Sequence, residues 1–443
     1  MRPLRILTVN LYYPPHHFGG YEVSCADVMT RLAARGHEIT VLTSDIRRDG
    51  VADPPDERAA GVRRDLRAYF RDGALWKPSV PERYAVERHN QRALAAAIDD
   101  ARPDVVSIWH MGALSLGLIT SVLDRALPAV FVICDDWLSY GPELDAWSRL
   151  FGDHPHVARA ARAALRVPTA LPDSFGDRAA FCFISDDCRA RAERYSRWSY
   201  PDASVVYSGI DTSAFPPRPV PRTSWEGRLL YAGRYDARKG IDTAIAALRD
   251  LDDHTLEVQW TGAAHERERV EVLAREHRVA AQVTFGDVSR AELPARYAAA
   301  DAVLFPSEWE EPFGLVPIEA MACRVPVVAT GVGGSGEFLV DGGNCVRFEP
   351  GDAAGLARAV RRLQSDPALR ATVVDGGAAT SEYFDVEHLT DVLERWHLAL
   401  ADDDATERPP RRTFDIDRAR SAPQASTDLA TRREQDGGIG AGG

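Results

Sequence analysis

The N-terminal part of the chain alternates between short apolar runs and a helical repeat. Residues 4–9 form a compact apolar run, and the turn-rich loop PPHHFGG follows it. Apolar residues then recur at helical spacing, at Val23, Ala26, Met29 and Ala33, before another apolar run at 39–42. Gly36 suits the position just beyond a helix C-terminus. The pattern predicts a strand–helix–strand unit with parallel strands.

The same alternation continues through the first half of the chain. Residues 105–109 and 129–134 have the pattern of buried strands, and the apolar stretch 113–127 has that of a helix between them. Strands that alternate with helices predict a parallel, doubly wound sheet. Ligands of such sheets bind beyond the carboxyl ends of the strands.

A change of composition at residues 211–224 divides the chain. Four prolines crowd this stretch and periodicity is lost, which indicates a linker. The alternation then restarts with apolar runs at 229–232, 256–260, 283–285, 302–305 and 325–329. The predicted fold class is therefore α/β, with two Rossmann-like, doubly wound domains facing each other across a cleft.

We expect an N-terminal domain at 1–212 and a C-terminal domain at 224–384. Residues 385–400 have the pattern of a capped amphipathic helix that can pack back on the first domain or on the second. From 401–443 the chain is rich in Asp, Arg, Pro, Ser, Gln and Gly, so we expect a disordered tail.

The charge balance limits the possible partners. The chain has 53 basic and 66 acidic residues, a net charge of −13, which argues against a general nucleic-acid binder. Only Lys77 and Lys239 are lysines, and all other basic residues are arginines. The first apolar run is too short for a signal peptide or a spanning helix, so we expect a cytoplasmic protein. The six cysteines form no C-x-x-C pair, and zinc or a disulfide framework is not indicated.

The most informative stretch is PSEWEEPFGLVPIEAMACRVPVVAT, at residues 306–330. Pro312 and Gly314 should keep Glu311 on a loop, and Pro317 suits the first turn of a helix that carries Glu319 near its start. Backbone N–H groups at such a start can bind phosphate, and a carboxylate there can accept sugar hydroxyls. On spacing alone, a helix-dipole role for Glu319 and a solvated loop position for Glu311 stay open.

Glu311 and Glu319 form an E-x7-E motif, and the surrounding stretch resembles the signature of glycosyltransferase family 4, the retaining glycosyltransferases with the GT-B fold. Further stretches follow in the family's order: PPHHFGG, RGHEITVLTSD, VVYSGID, GRYDARKG, YAAADAVLFPSEWEEPFG and GGSGEFLVDGGN. The resemblance covers roughly residues 1 to 400. It implies a retaining, metal-independent transferase that moves a sugar from a UDP-, GDP- or ADP-sugar to an acceptor hydroxyl.

The resemblance also assigns residues to the donor. Arg234 and Lys239 would grip the diphosphate, as a forked donor and a point charge can do. The backbone at Gly19 and Gly20 would approach the phosphates from the first domain. On its own, Lys239 could equally be a solvated cation at a helix start, and the glycine pair a plain turn.

By the same resemblance, Glu311 would meet the hydroxyls of the donor sugar and Glu319 the ribose. The backbone of the intervening residues would contact phosphate and sugar: Phe313, Gly314, Leu315 and Val316. Gly262 and Val288 fall where the family holds the nucleotide base. The residues do not reveal which base is preferred.

A histidine near the donor sugar and acceptor is common in the family, after the third apolar strand. When PDVVSIWHMG is matched from Asp104, Trp109 occupies that position and His110 comes one residue later. Because neighbouring strand residues point to opposite faces, this one-residue offset decides which of the two side chains can face the site. His110 is therefore a candidate catalytic residue, and a structural histidine stays the alternative.

Other motifs carry less weight. GVGGSG at residues 331–336 matches a dinucleotide fingerprint, but glycines at 342–343 stop the helix that the fingerprint needs. The D-x-D pairs lie at an apparent helix end or in the tail, so we expect no metal and no cofactor. An epimerase or phosphorylase on the same fold, or a non-catalytic sugar-nucleotide binder, stays an alternative.

The acceptor is the open part of this hypothesis: a saccharide, a lipid-linked glycan or a small molecule. Arginines cluster in the first half, at Arg63, Arg64, Arg67 and Arg71, at Arg159, Arg162 and Arg166, and at Arg189, Arg191, Arg194 and Arg197. Some family members dock there on membranes, which implies peripheral contact at the inner membrane face. Solvated helix faces explain the same residues.

Overall fold

The computed structural model of this protein describes residues 2–71, 74–152, 154–200, 202–219, 224–234, 237–261, 264–403 and Pro409. The predicted disordered tail falls almost entirely outside these described residues. Within them the chain forms two parallel sheets, each with helices on its faces, which confirms the predicted α/β class.

The first sheet has seven strands in the order β3-β2-β1-β6-β7-β8-β9. Its strands are β1 (Arg5–Asn10), β2 (Glu38–Ser44), β3 (Val62–Leu66), β6 (Val105–Ile108), β7 (Ala129–Ile133), β8 (Ala179–Phe183) and β9 (Ala203–Val205). A separate antiparallel pair consists of β4 (Phe70–Arg71) and β5 (Ala74–Leu75). The helices of this half are α1 (Gly20–Ala34), α2 (Val80–Ala101), α3 (Gly117–Asp124), α4 (Trp137–Leu144), α5 (Pro155–Leu165) and α6 (Asp186–Tyr195).

The second sheet has six strands in the order β12-β11-β10-β13-β14-β15. Its strands are β10 (Arg228–Arg234), β11 (Thr255–Thr261), β12 (Val283–Gly286), β13 (Ala302–Phe305), β14 (Val327–Ala329) and β15 (Val346–Arg347). The helices of this half are α7 (Ile241–Ala247), α8 (Ala264–Glu276), α9 (Leu293–Ala299), α10 (Leu315–Ala322), α11 (Ala353–Ser365) and α12 (Pro367–Tyr383). This strand order is that of a dinucleotide-binding Rossmann sheet.

The last helix, α13 (Val386–Ala401), returns to the first domain. Its Leu393 and Trp396 share a buried cluster with Leu4, Ile6 of β1 and Met29 of α1. Asp385 caps the helix by accepting a hydrogen bond from the backbone N–H of Glu387. The amphipathic pattern thus serves to cover one face of the first sheet.

The outgoing and returning segments of the chain meet between the two domains. The backbone N–H of Ile210 donates to the carbonyl of Phe384 at 2.9 Å, and the N–H of Val386 donates back to Ile210 at 2.9 Å. A Cβ on Gly209 would stand 2.7 Å from the Asp385 carbonyl oxygen, so only glycine permits this crossing. The paired segments therefore connect the two domains.

Candidate active site

The candidate residues gather at the switch points of the two sheets. In the first sheet β1 lies between β2 and β6, and in the second β10 lies between β11 and β13. Loops leaving the carboxyl ends of β1 and β6, or of β10 and β13, diverge there and leave a crevice. The loops after these four strands carry most of the residues singled out from the sequence.

The glycine pair after β1 lies against the second domain. Gly19 precedes α1, and its backbone N–H donates to Oε2 of buried Glu22 at 2.8 Å. A Cβ on Gly20 would come within 2.9 Å of the Leu315 side chain. The two domains therefore approach each other at this turn, with α1 and α10 starting on opposite sides of it.

Lys239 and Glu311 form a direct ion pair in the second domain. The ammonium of Lys239 donates to Oε1 of Glu311, and the Ser307 hydroxyl donates to the same oxygen at 3.1 Å. The Glu311 residue is only 4% exposed, so it is not a solvated loop acid. Gly240, at φ +71°, passes so close to the Pro306 carbonyl that a side chain would clash. This close approach brings the loop after β10 against the loop after β13.

The glycine-rich segment after β14 fixes the backbone of the Glu311 loop. The N–H of Gly334 donates to the carbonyl of Glu311 at 2.7 Å. A Cβ on Gly333, at φ +66°, would lie 2.6 Å from the Glu311 nitrogen. The segment GVGGSG therefore supports the loop that carries Glu311, and it continues into a short 3-10 turn at Gly334–Glu337.

Helix α10 begins at the predicted place. Gly314 precedes it at φ +96°, and a Cβ there would meet the Phe305 ring at 3.0 Å. The Phe313 side chain is buried against Tyr207 and Phe384, at ring distances of 5.9 and 5.2 Å. Only the backbone of Phe313 can therefore serve a ligand. Leu315 and Val316 are half-buried at the first turn of the helix.

Glu319 is buried on α10 and has two partners. The Tyr297 hydroxyl donates to its Oε2 at 2.8 Å, and a guanidinium nitrogen of Arg290 lies 3.8 Å from its Oε1. Burial raises the pKa of Glu319, while the Arg290 charge and the Tyr297 hydrogen bond oppose the rise. The two partners hold the Glu319 carboxylate in a defined position near the start of α10.

Three further residues that the sequence resemblance assigned to the donor have different surroundings. Arg234 ends β10, but its side chain lies outside the described part of the chain, as does all of Gly262. Val288 follows β12, and its backbone N–H donates to Oε1 of Gln259 at 3.2 Å. Gln259 is buried and thus shapes the floor below the segment expected to face the base.

His110, rather than Trp109, faces the cleft. Trp109 is fully buried, and its indole N–H donates to the Ser107 hydroxyl at 2.9 Å. The His110 side chain is 15% exposed and stacks on Tyr21, with ring centroids 5.2 Å apart. The structure thus gives His110 the outward position that the one-residue offset had left open.

Charged and polar groups surround the His110 ring. Its Nδ1 lies 3.5 Å from Oε1 of Glu22, and its Nε2 lies 3.5 Å from Oδ2 of Asp135. The Tyr140 hydroxyl donates to Asp135 at 2.7 Å and lies 3.2 Å from Nε2. A Cβ on Gly112 would stand 2.8 Å from Nε2, so this glycine makes room for the group.

Sequence reasoning missed several residues of the site: Glu22, Asp135, Tyr140, Ser307, Arg290 and Tyr297. Asp135 follows a buried strand beside β6, a position that could have drawn attention to it. Ser307 is four residues before Glu311 on the same loop. Glu22 follows the glycine pair by two residues, at a capping position of α1. No local pattern marks Tyr140, Arg290 or Tyr297.

The arginine clusters divide into paired and exposed members. Arg63, Arg64 and Arg191 pair with acids of the protein, as in the 2.7 Å contact of Arg63 with Asp100. On α5, Arg159 and the following Arg166 are exposed. The side chain of Arg71 lies outside the described residues. No helix within the described ranges is long and apolar enough to cross a membrane.

Comparisons with known proteins agree with this architecture. The family model "Glycosyltransferase Family 4" matches residues 18–214, and "Glycosyl transferases group 1" matches residues 221–379. A glycogen synthase of Mycobacterium tuberculosis is 30% identical over 395 residues, covering 82% of this chain and 87% of the relative. A D-inositol 3-phosphate glycosyltransferase of Acidothermus cellulolyticus is 28% identical over 413 residues, covering 87% and 86%.

Solved structures share the fold at lower identity. A sucrose-phosphate synthase from Thermosynechococcus elongatus superposes with a TM-score of 0.66 at 21% identity, covering 90% of this chain and 99% of its own. HepE from Anabaena, solved with UDP-glucose, gives 0.64 at 20% identity, covering 90% and 99%. The chain therefore belongs to glycosyltransferase family 4, has the GT-B fold and is a glycosyltransferase.

Proposed function

We propose that this enzyme moves a sugar from a nucleoside diphosphate sugar, a UDP-, GDP- or ADP-sugar, to an acceptor hydroxyl, with retention and without a metal ion or cofactor. It would act in glycan, polysaccharide or glycoconjugate biosynthesis. The observation that carries the proposal is the ion pair between half-buried Lys239 and buried Glu311 at the second switch point, one helix turn and a loop from Glu319. HepE, of the same fold, was solved with UDP-glucose.

Lys239 would supply the local positive charge that an acidic protein needs to bind a diphosphate. A chain of net charge −13 repels a diphosphate unless positive charge is placed locally. Lys239 and Arg234 leave the same strand end, and α10 directs its first N–H groups to the same crevice. These groups would replace metal ions as the counter-charge of the diphosphate.

The Glu311 carboxylate would orient the donor sugar. One of its oxygens takes hydrogen bonds from Lys239 and Ser307, which leaves the other oxygen to accept sugar hydroxyls. The buried Glu319 carboxylate would accept the two ribose hydroxyls. Both contacts fix the anomeric carbon relative to the first-domain wall of the cleft.

Transfer would proceed by attack on the same face from which the diphosphate leaves. The acceptor O–H loses its proton to the departing phosphate oxygen while the new glycosidic C–O bond forms. Stabilisation of the negative charge on the leaving diphosphate by Lys239, Arg234 and the α10 amides would be the main catalytic effect. The anomeric configuration is then retained.

Contacts between the domains would keep water out of the closed cleft. The Ser185 hydroxyl donates to the Pro312 carbonyl at 2.6 Å. Glu337 of the second domain accepts from the backbone N–H groups of Asp186 and Asp187, at 3.1 and 2.8 Å. These bonds join the start of α6 to the Glu311 loop and to the 3-10 turn Gly334–Glu337. Exclusion of water would protect the donor from hydrolysis.

We propose a cytoplasmic enzyme with peripheral contact at the inner membrane face if its acceptor is lipid-linked. Helix α5 supports this contact because it exposes an apolar side chain, Val157 at 56%, and also the basic Arg159 and Arg166. Arg162 is less suitable, since it pairs with Asp124. Co-sedimentation with phosphatidylglycerol vesicles, lost in Val157→Asp, tests this contact separately from catalysis.

A nucleotide-sugar panel tests the reaction itself. The purified protein is assayed for binding and turnover of UDP-, GDP- and ADP-sugars with saccharide, cyclitol and lipid-linked acceptors. Product NMR should show the anomeric configuration of the donor, and EDTA should leave the rate unchanged. Glu311→Gln should abolish turnover while nucleotide binding survives. Its neighbour Glu310, with a side chain 63% exposed, provides the matched control Glu310→Gln.

Absence of binding and turnover with every nucleotide sugar would overturn the proposal. Inversion of the anomeric centre, or loss of activity in EDTA, would overturn the retaining and metal-independent parts. Binding of the nucleotide without transfer in any acceptor mixture would favour a non-catalytic binder.

A further inference from the structure

The first-domain wall of the cleft carries a row of aromatic rings that the donor contacts do not use. Phe18 lies two residues before Gly20, in the loop that faces the second domain, and is 43% exposed. Its ring lies 4.9 Å from that of Tyr12, edge to face. The Tyr12 ring in turn lies 6.3 Å from that of His110. The row therefore leads from the mouth of the cleft to the first switch point.

The loop that carries Phe18 is held in place from behind. His16 is fully buried, with Nε2 2.6 Å from Oδ1 of Asp53, and its Nδ1 accepts from the backbone N–H of Arg48 at 3.2 Å. The Arg48 guanidinium lies 5.9 Å from the centre of the Phe18 ring. Phe18 is thus partly exposed to solvent although its ring lies beside the buried Tyr12.

The inner end of the row is polar. Beside His110, the Asp135 carboxylate is 25% exposed and accepts the Tyr140 hydroxyl at 2.7 Å. Its Oδ1 accepts the backbone N–H of Trp137 at 3.1 Å, and each carboxylate oxygen keeps a second lone pair for a further hydroxyl. A molecule lying along the wall would meet aromatic faces first and hydrogen-bonding groups at the end nearest the donor sugar.

An aromatic ring at one end of the wall and a carboxylate at the other favour one chemical class of acceptor. A hydroxylated six-membered ring has an apolar C–H face that packs on aromatic rings and hydroxyls that a carboxylate recognises. A free alkyl chain would remove water from Asp135 without adding a hydrogen bond to it, which is costly. A phosphate at the inner end would face the two carboxylates of Asp135 and Glu22, which lie on either side of His110.

We propose that Phe18, Tyr12, His110 and Asp135 form the acceptor subsite, and that the acceptor presents a hydroxylated six-membered ring, a pyranose or a cyclitol. The ring lies with its C–H face on Phe18, which the buried Tyr12 supports edge to face, and directs one hydroxyl to Asp135 and His110. This assignment rests on the proposed function, because it names the acceptor of the same reaction. Phe18 is a specificity residue in it.

Saturation-transfer NMR on the full chain tests the subsite. The protein is first saturated with whichever of UDP, GDP or ADP binds by calorimetry. Methyl α-D-glucopyranoside, maltose, myo-inositol and n-octyl phosphate are then the probes. At least one ring probe should receive saturation at its ring C–H protons, and the choice between the glucosides and myo-inositol identifies the ring type. Phe18→Ala should remove that signal, and Phe18→Trp should retain it.

Tyr195→Ala is the matched control, because Tyr195 is 61% exposed at the far end of α6. With a turnover assay in hand, Phe18→Ala should raise the acceptor KM about tenfold with a much smaller effect on kcat. Saturation transfer to the ring probes that persists in Phe18→Ala overturns the subsite. So does binding of n-octyl phosphate alone. Failure of every nucleotide to bind, in contrast, contradicts the donor assignment.

Discussion

Lys239 and Glu311, 72 positions apart in the chain, share a hydrogen bond between Nζ and Oε1 at the carboxyl edge of the second sheet. The strand order explains the contact, because β10 and β13 are neighbours and each loop leaves its strand at the same edge. The lysine balances a buried carboxylate and, in the proposed reaction, presents positive charge to the incoming diphosphate.

Replacement of Lys239 by methionine should weaken binding of the nucleoside diphosphate. A charge-assisted hydrogen bond contributes about 1.5–3 kcal/mol, so we expect affinity to fall about 10- to 100-fold. Isothermal titration with the preferred nucleotide measures the change. Lys77→Met removes the only other lysine and should leave affinity within about twofold. Equal losses in both variants would argue against a specific site at Lys239.

Arg290→Met should move the acid limb of nucleotide binding to higher pH. Burial raises the pKa of Glu319 and Arg290 opposes the rise, so removal of Arg290 raises this pKa further. A protonated Glu319 accepts ribose hydroxyls poorly, and the variant should lose affinity at a pH where the wild type still binds. Titration of affinity from pH 8 to pH 5 checks this, with Arg290→Lys as the restoring variant. Arg296→Met, which alters an exposed ion pair with Glu257, is the control.

Gly112→Ala should disturb the group around His110. The added Cβ would lie 2.8 Å from Nε2 of His110 and closer still to the Tyr140 hydroxyl, so one of the two side chains must move. We expect kcat/KM to fall about tenfold or more while the melting temperature changes little. Gly152→Ala adds a methyl group that comes no closer than 3.9 Å to another atom, and it should change neither quantity. A fully active Gly112→Ala would show that the contact between His110 and Tyr140 does not matter for transfer.

His397 should make the fold sensitive to acid. It is fully buried on α13, its Nδ1 donates to the Leu393 carbonyl, and burial lowers its pKa from 6.5 to about 4. Because the folded-state pKa lies below the unfolded one, the stabilising effect is present above pH 6.5 and is lost as the pH falls toward 4. The loss amounts to roughly 3 kcal/mol.

Urea unfolding at pH 7, 6, 5 and 4 measures this effect. His397→Gln keeps a hydrogen-bond donor but does not titrate, so its free energy of unfolding should fall less steeply over the same interval. A variant with the same slope as the wild type would assign the acid sensitivity to other groups, such as the ion pairs of Glu394 with Arg35 and His37.

Much of the architecture follows from local pattern. Strands that are buried on both faces, such as β7 and β8, appear as continuous apolar runs, and helices as a 3.6-residue repeat. The position of α10 was predictable because Gly314 and Pro317 set its start by local backbone geometry. Element ends were less accurate: the predicted helix 113–127 is shorter in the structure, at Gly117–Asp124.

The sequence by itself determined the α/β alternation, the division at the proline-rich stretch and the order of the motifs, because periodicity and glycine or proline geometry act over a few residues. Tertiary structure alone decided which of Trp109 and His110 faces the cleft, and it brought Tyr297 and Arg290 to Glu319. These outcomes depend on how strands far apart in the chain become neighbours in a sheet. Pairing of that kind is set by the packing of the whole domain, which no short segment encodes.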